Sequence, residues 1–215
     1  MIAISLFDLT GNMLKPWHEA GYECHILDIQ HPMEGGRRSD GMYPYCIDLK
    51  EGVTPDDIEW FSHDEIAFIS CFPPCDHLSV SGARWFQGKG LRALEQSIAF
   101  FATCIEFVEQ FPEAPYMIEN PRSMISTYWR PADATFNPCD YSGYVDGQED
   151  YTKETHVWHG HGFKMPPRDR YGDLFSHPDQ TYIHYQSPGA ERKNIRSATP
   201  KGFAQAVFEA NRREP

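Results

Sequence analysis

Short apolar runs that stop at an acidic or cysteine-bearing loop recur through the first 120 residues, with helix-length segments between them. Met1 to Phe7 alternates weakly and gives way to the polar loop Asp8-Leu9-Thr10-Gly11-Asn12, after which Met13 to Ala20 has helical spacing and Gly21 stops it. Tyr22 to Asp28 reads as an apolar strand ending in an acid, Tyr45 to Asp48 as a shorter copy and Ile66 to Ser70 as another. Between Lys89 and Phe111 the residues Leu91, Leu94, Ile98, Phe101, Ala102, Ile105 and Val108 recur at threes and fours, which predicts a long amphipathic helix. Tyr116 to Ile118 then makes a strand that ends at Glu119. This alternation predicts an α/β fold with a doubly wound, mostly parallel sheet, whose ligands sit outside the strands' carboxyl ends.

From Pro121 to Pro188 the chain is rich in Pro, Gly, Asp, His and aromatic residues and offers one short strand, Thr155 to Trp158, so ordered loop is expected there. A final helix is predicted with Thr199 as N-cap, Pro200 in the first turn and Phe203, Ala206, Val207 and Ala210 along one face. At 215 residues the chain suits a single domain, residues 1–120 forming the core and 121–215 a loop-rich, substrate-facing part. Hydrophobic residues make up 40% without any membrane-length apolar run, so no membrane partner is expected. The opening segment is short, lacks a basic leader and runs straight into Asp8, which points to a cytoplasmic protein whose six cysteines are thiols.

The net charge of −12 argues against a general nucleic-acid surface, because neutralising phosphates needs clustered Lys and Arg. Residues 1–159 hold 10 basic and 25 acidic side chains, a net of −15, whereas 160–215 hold 9 basic and 6 acidic, a net of +3. Phosphate contacts are therefore expected from the C-terminal quarter, through Arg192, Lys193 and Arg196, and from the upstream residues Arg122, Arg130 and Lys153.

Three strand ends have distinct possible chemistry. The loop Phe7, Asp8, Thr10, Gly11 and Asn12 can present backbone N–H groups and a helix start to an anionic ligand, although an ordinary strand-to-helix turn has the same residues. Asp28, about twenty positions on, can accept both hydroxyls of a ribose. Asp48 can accept from an adenine amine or stand as a solvated strand-end acid. Cys71-Phe72-Pro73-Pro74-Cys75-Asp76-His77 places two prolines before a thiol, which suits a rigidly held nucleophile, a structural turn being the alternative. His77, Arg84 or the helix start at Lys89 would lower that thiol's pKa. Glu119, followed by Asn120-Pro121-Arg122, leaves a strand on the same rim, where a carboxylic acid can bond a ring nitrogen and its exocyclic amine, or else cap a helix. Cys139, His156, His159 and His161 lack the paired spacing of a metal site.

The order of glycine loop, Asp28, Pro73-Pro74-Cys75 and Ile118-Glu119-Asn120-Pro121 resembles the C5-cytosine DNA methyltransferase family, notably its small phage-encoded branch that lacks a large target-recognition domain. The resemblance spans nearly the whole chain. It implies a Rossmann-like methyltransferase fold, S-adenosylmethionine as cofactor and DNA as partner. Phe7 to Gly11 would be the methyl-donor loop, Asp28 the ribose acid, Asp48 the adenine position, Pro73 part of the donor site, Cys75 the nucleophile and Glu119 the pyrimidine-binding acid. Pro74, Arg84, Asn120, Arg122, Arg130, Lys153, Arg192, Lys193 and Arg196 would face substrate. One stretch departs from the pattern: where the family alternates a Gln and two arginines along a strand, this chain has Tyr151, Lys153 and Thr155 after an acidic run. Modification of a free cytosine nucleotide is the alternative enzyme, and a non-catalytic donor-binding module on the same fold is the alternative of another class.

Overall fold

The computed structural model describes residues 1–34, 36–53, 66–80, 86–172, 178–179 and 197–213. Its strands are β1 (Ile2–Leu6), β2 (Glu23–Leu27), β3 (Tyr43–Tyr45), β4 (Ile66–Cys71), β5 (Tyr116–Pro121), β6 (Ala134–Phe136) and β7 (Thr155–Gly160). They form one seven-stranded sheet in the order β3-β2-β1-β4-β5-β7-β6. Every neighbouring pair from β3 across to β5 is parallel, while β7 runs antiparallel to both β5 and β6. The result is the mixed α/β, mostly parallel architecture that the strand-helix alternation predicts. Its helices are α1 (Lys15–Glu19), α2 (Phe86–Glu109), α3 (Ile125–Tyr128) and α4 (Lys201–Asn211).

Both faces of the sheet are covered, which is why its strands read as near-continuous apolar runs. Successive residues of a strand point to opposite faces. Ile2, Ile4 and Leu6 accordingly join Phe101, Phe107 and Val108 of α2 in one cluster, and Ala3 joins Trp17, Phe203 and Val207 from α1 and α4 in the other. In the second cluster Trp17 stacks on Phe68 with centroids 4.8 Å apart, and Phe203 stacks on Phe136 at 3.8 Å. Phe68 and Phe203 are fully buried, each contributing roughly 1.5–3 kcal/mol by the usual scale for such side chains. The long helix α2 is broken at Gly90, whose φ of 79° is a conformation a side chain would resist.

Several elements differ from the sequence expectations. The third strand lies at Tyr43–Tyr45, before the stretch expected, and Asp48 instead caps a 3-10 turn by accepting from the Lys50 amide at 3.1 Å. Glu119 is within β5, whose pairing with the antiparallel β7 carries it on to Pro121. The loop-rich part supplies β6, an eight-residue 3-10 run over Pro138–Val145 and the short α3. Thr199 does not cap α4, because Pro200 occupies the N-cap position; the Glu149 carboxylate accepts from the Lys201 and Gly202 amides at 2.9 and 2.8 Å in its place. All six cysteines are unpaired, and among the described residues no helix is long and apolar enough to cross a membrane.

Candidate functional site

Parallel register lines up the strand ends. Leu6 pairs with Leu27 on one side and with Cys71 on the other, and Cys71 pairs with Ile118. The next residues, Phe7, Asp28, Phe72 and Glu119, therefore stand in a row along the carboxyl edge. Asp28 and Glu119 are three strands apart, roughly 14 Å at the usual strand spacing. The strand order reverses between β1 and β4, and at such a point the two outgoing loops diverge and leave a crevice for ligands. The loops that flank it are Phe7 to Asn12 and Phe72 to Cys75.

The first loop is held from within. Asp8 is buried, and its carboxylate accepts from the Gly11 amide at 2.7 Å, the Thr10 amide at 3.0 Å, the Thr10 hydroxyl at 3.1 Å and the Ser5 hydroxyl at 2.9 Å. The amides of Thr10 and Gly11 are thus committed to Asp8, contrary to their expected role in presenting N–H groups to an anion. Asn12 is likewise a tether, its Nδ2 donating to the Thr199 carbonyl at 3.2 Å, so the segment before α4 packs against this loop. Gly11 has a φ of 75°, and a Cβ there would lie 2.7 Å from the Met42 sulfur. Phe7 also has a positive φ, 56°, and its ring meets Phe100 edge-on.

Asp28 is buried at the end of β2, and one of its oxygens, Oδ1, accepts from the Gln30 amide at 2.8 Å and from Gln30 Nε2 at 3.3 Å. Its other oxygen accepts no hydrogen bond among the described residues, which leaves it for a ligand hydroxyl. Asp48 is exposed and gives one oxygen to its cap.

The second loop is stitched to β5 and the turn beyond it. Asn120, fully buried, donates its Nδ2 to the Pro73 carbonyl at 2.9 Å. The Cys75 carbonyl accepts from the Leu78 and Ser79 amides at 3.1 and 2.9 Å, the Val80 amide reaches the Arg122 carbonyl at 3.0 Å, and the Met124 amide reaches the Leu78 carbonyl at 3.0 Å. Proline rigidity and these bonds fix Pro73, Pro74 and Cys75 against the Glu119 strand. Asn120 Nδ2 is thus committed to clamping the thiol loop, while its Oδ1 is buried without a hydrogen-bond partner among the described residues.

Burial pushes the Cys75 thiol up to about 11, and the negative charges of Glu119 and Asp76 push in the same direction. The cation that opposes them is Lys153. This corrects the expected source of thiolate stabilisation: Lys89 instead donates its ammonium to the Asp76 carbonyl at 2.6 Å, and His77 Nδ1 is buried without a partner among the described residues. Arg84 lies outside the described residues.

Glu119 is buried, and its Oε1 has no hydrogen-bond partner among the described residues. Burial raises its carboxyl above the ordinary value, and among the described residues Lys153 is the charge that opposes the shift. A buried acceptor left unpaired costs about 1–3 kcal/mol, and more when charged, so this oxygen is an open demand for a donor.

Lys153 precedes β7, so it is not part of an alternating strand face with Tyr151 and Thr155. Its amide donates to Asn137 Oδ1 at 3.0 Å, its carbonyl accepts from the Thr155 hydroxyl at 2.9 Å, and its ammonium has no hydrogen bond or ion pair among the described residues. Thr155 is buried within the sheet and Tyr151 bridges to Asp179. Arg122 is exposed beside the thiol loop. Arg130 lies beside Tyr116 at the opposite end of β5, with both oxygens of Asp133 at 2.6 and 2.7 Å and its guanidinium over the Trp129 ring, so it does not belong to the Glu119 rim. Arg192, Lys193 and Arg196 lie outside the described residues. No group of three metal-ligating side chains occurs among the described residues.

No protein-family model matches this chain, and no curated protein matches it.

Proposed function

We propose that this chain transfers a methyl group from S-adenosylmethionine to carbon 5 of a cytosine through a covalent Cys75 adduct. The observation that carries the reading is the juxtaposition at the carboxyl edge. A proline-fixed thiol and a buried carboxylate with an unsatisfied oxygen come from adjacent parallel strands, beside the crevice where the sheet order reverses. The strand order, with one reversed strand beyond β5, is compatible with the Rossmann-like methyltransferase sheet that the sequence resemblance implies.

The donor fits this edge at Asp28, whose uncommitted oxygen can accept from a ribose hydroxyl, and at the crevice beside Phe7 and Pro73. S-adenosylmethionine bound there supplies an electrophilic methyl group. Cys75 adds to carbon 6 of the ring, which makes carbon 5 electron-rich; once carbon 5 carries the methyl group, a base takes the carbon 5 proton, the carbon 6–sulfur bond breaks and the Cys75 thiolate leaves. Glu119 bonds ring nitrogen 3 and the exocyclic amine and steadies the charge that addition pushes into the ring. Asn120 holds the thiol loop in place throughout. A base in a duplex would have to be flipped out to reach Cys75.

A free cytosine nucleotide is the second reading, and the ion pairs favour it. Arg130, Arg168 and Arg170 are each paired with an aspartate, Asp133, Asp140 and Asp150, and so are drawn away from phosphate binding. The deciding experiment offers radiolabelled methyl donor with duplex DNA, single-stranded DNA, RNA and free cytosine nucleotides in parallel. Label in a DNA fraction supports the first reading and label in the nucleotide the second. Donor binding without transfer to any of them overturns both in favour of a non-catalytic module.

A further inference from the structure

Three side chains at the rim belong together electrostatically although they come from separate segments. Cys75 follows β4, Glu119 is in β5 and Lys153 approaches β7. Backbone pairing explains the meeting. Glu119 pairs with Val157 and Pro121 with Thr155, so the residues just before β7 arrive beside the outgoing end of β5. The Asn120 clamp brings the thiol loop to that same end. The hydrogen bond from the Lys153 amide to Asn137 and that from the Thr155 hydroxyl to the Lys153 carbonyl fix the lysine backbone there.

Among the described residues, the charged groups acting on Cys75 are Glu119 from β5, Asp76 from its own loop and Lys153 from the segment before β7. Lys153 is likewise the cation that acts on Glu119 among the described residues. Two acids in a buried setting thus face a single uncommitted ammonium. Desolvation opposes charge on either acid, and each opposes charge on the other.

We infer that Lys153 is the shared counter-charge of Cys75 and Glu119, one ammonium balancing whichever of the two acids carries the negative charge. The inference deepens the methyl-transfer reading and rests on it for its purpose. The two acids compete for that one ammonium, so a negative charge on either makes ionisation of the other harder. Lysine suits the role, since its charge is a compact point rather than a planar fork committed to one bidentate partner.

The test uses the free protein with iodoacetamide at pH 8.5, reading the alkylation rate of each cysteine by peptide mass spectrometry. Alkylation follows the thiolate fraction. Lys153→Met should slow Cys75 by about tenfold or more, the equivalent of one unit of ionisation, while Lys153→Arg stays within about threefold of the parent. Glu119→Gln should accelerate Cys75 by about tenfold, because it removes the competing charge. Cys46, on the other side of the sheet order, serves as the internal folding control and should keep its rate in all variants. An unchanged Cys75 rate in Lys153→Met, or a slower one in Glu119→Gln, with Cys46 unaltered, overturns the shared counter-charge. Neither donor nor cytosine is present, so the result is independent of the proposed reaction. Rate changes as expected in a protein that methylates nothing would uphold the counter-charge and defeat the methyl-transfer reading, whereas methylation with indifferent alkylation would do the reverse.

Discussion

Asn120 and Pro73 are joined by a 2.9 Å hydrogen bond, side-chain amide to main-chain carbonyl, and this one contact ties the thiol loop to the strand that carries Glu119. Removing it frees a buried carbonyl as well as a loop. Asn120→Ala should lower stability by about 1–3 kcal/mol, the usual cost of an unpaired buried partner, and should reduce methyl transfer more than donor affinity. Chemical denaturation and donor titration on the same preparation check both parts.

Cys75→Ala should abolish transfer while leaving donor affinity nearly intact, because the sulfur addresses the base rather than the donor. Cys71→Ala should be far milder in activity, since Cys71 is a fully buried core residue packed near Cys104, whose thiol burial and Cys71 together push up. Single-turnover assays on both variants decide it; equal loss in two folded proteins would contradict the assignment.

Asp28→Ala should weaken S-adenosylmethionine binding by roughly 1–3 kcal/mol, the scale for leaving polar ligand groups unpaired. Calorimetry reads this directly, and an unchanged affinity would remove Asp28 from the donor site.

Glu119 gives stability a pH dependence of definite sign. Its folded-state carboxyl is raised, so its contribution is fully present below the unfolded value near 4.5 and is lost as pH rises through the folded value. Glu119→Gln should therefore melt above the parent protein at pH 8, with the gap closing toward pH 4. Thermal melts across that range would show a constant gap if Glu119 were solvated.

Glu149→Ala should destabilise the protein by about 1 kcal/mol, the typical effect of losing a helix cap, because two amides of α4 lose their acceptor. Thr199→Ala should leave α4 capped. Circular dichroism melts distinguish the two.

The parts of this architecture that were readable in the sequence share one property: their signal is local. β1, β2, β4 and β5 are apolar runs because both faces of the sheet are covered, and beyond Gly90 α2 shows its period over about five turns. β6 was not readable, because Ala134-Thr135-Phe136 is too short to show alternation and is a strand only by pairing with β7. Glu149 as a cap was equally hidden, since it acts on amides 52 and 53 positions away. At the rim, Cys75 and Glu119 announce themselves through their neighbours, but the cation that acts on them does not. His77 and Lys89 are close to Cys75 in the chain, yet Lys89 gives its ammonium to the Asp76 carbonyl and the cation that acts on the thiol is Lys153, which arrives through the β5–β7 register. The Asp8-x-Thr10-Gly11 spacing did hold a legible clue, since an aspartate commonly accepts from amides two residues on. It points to the loop's internal bonding, whereas the expectation drawn from these residues was their availability to a ligand.

The bond between Asn12 and the Thr199 carbonyl joins residues 187 positions apart. A ribosome adding roughly 5–20 residues per second needs on the order of 10 to 40 s to make the second after the first. The loop beside the crevice leaves the ribosome well before the segment that its Asn12 side chain grips, and until then it has only its internal bonds to Asp8. Emergence of the first strands and completion of the pocket they border are separate moments in the life of the molecule.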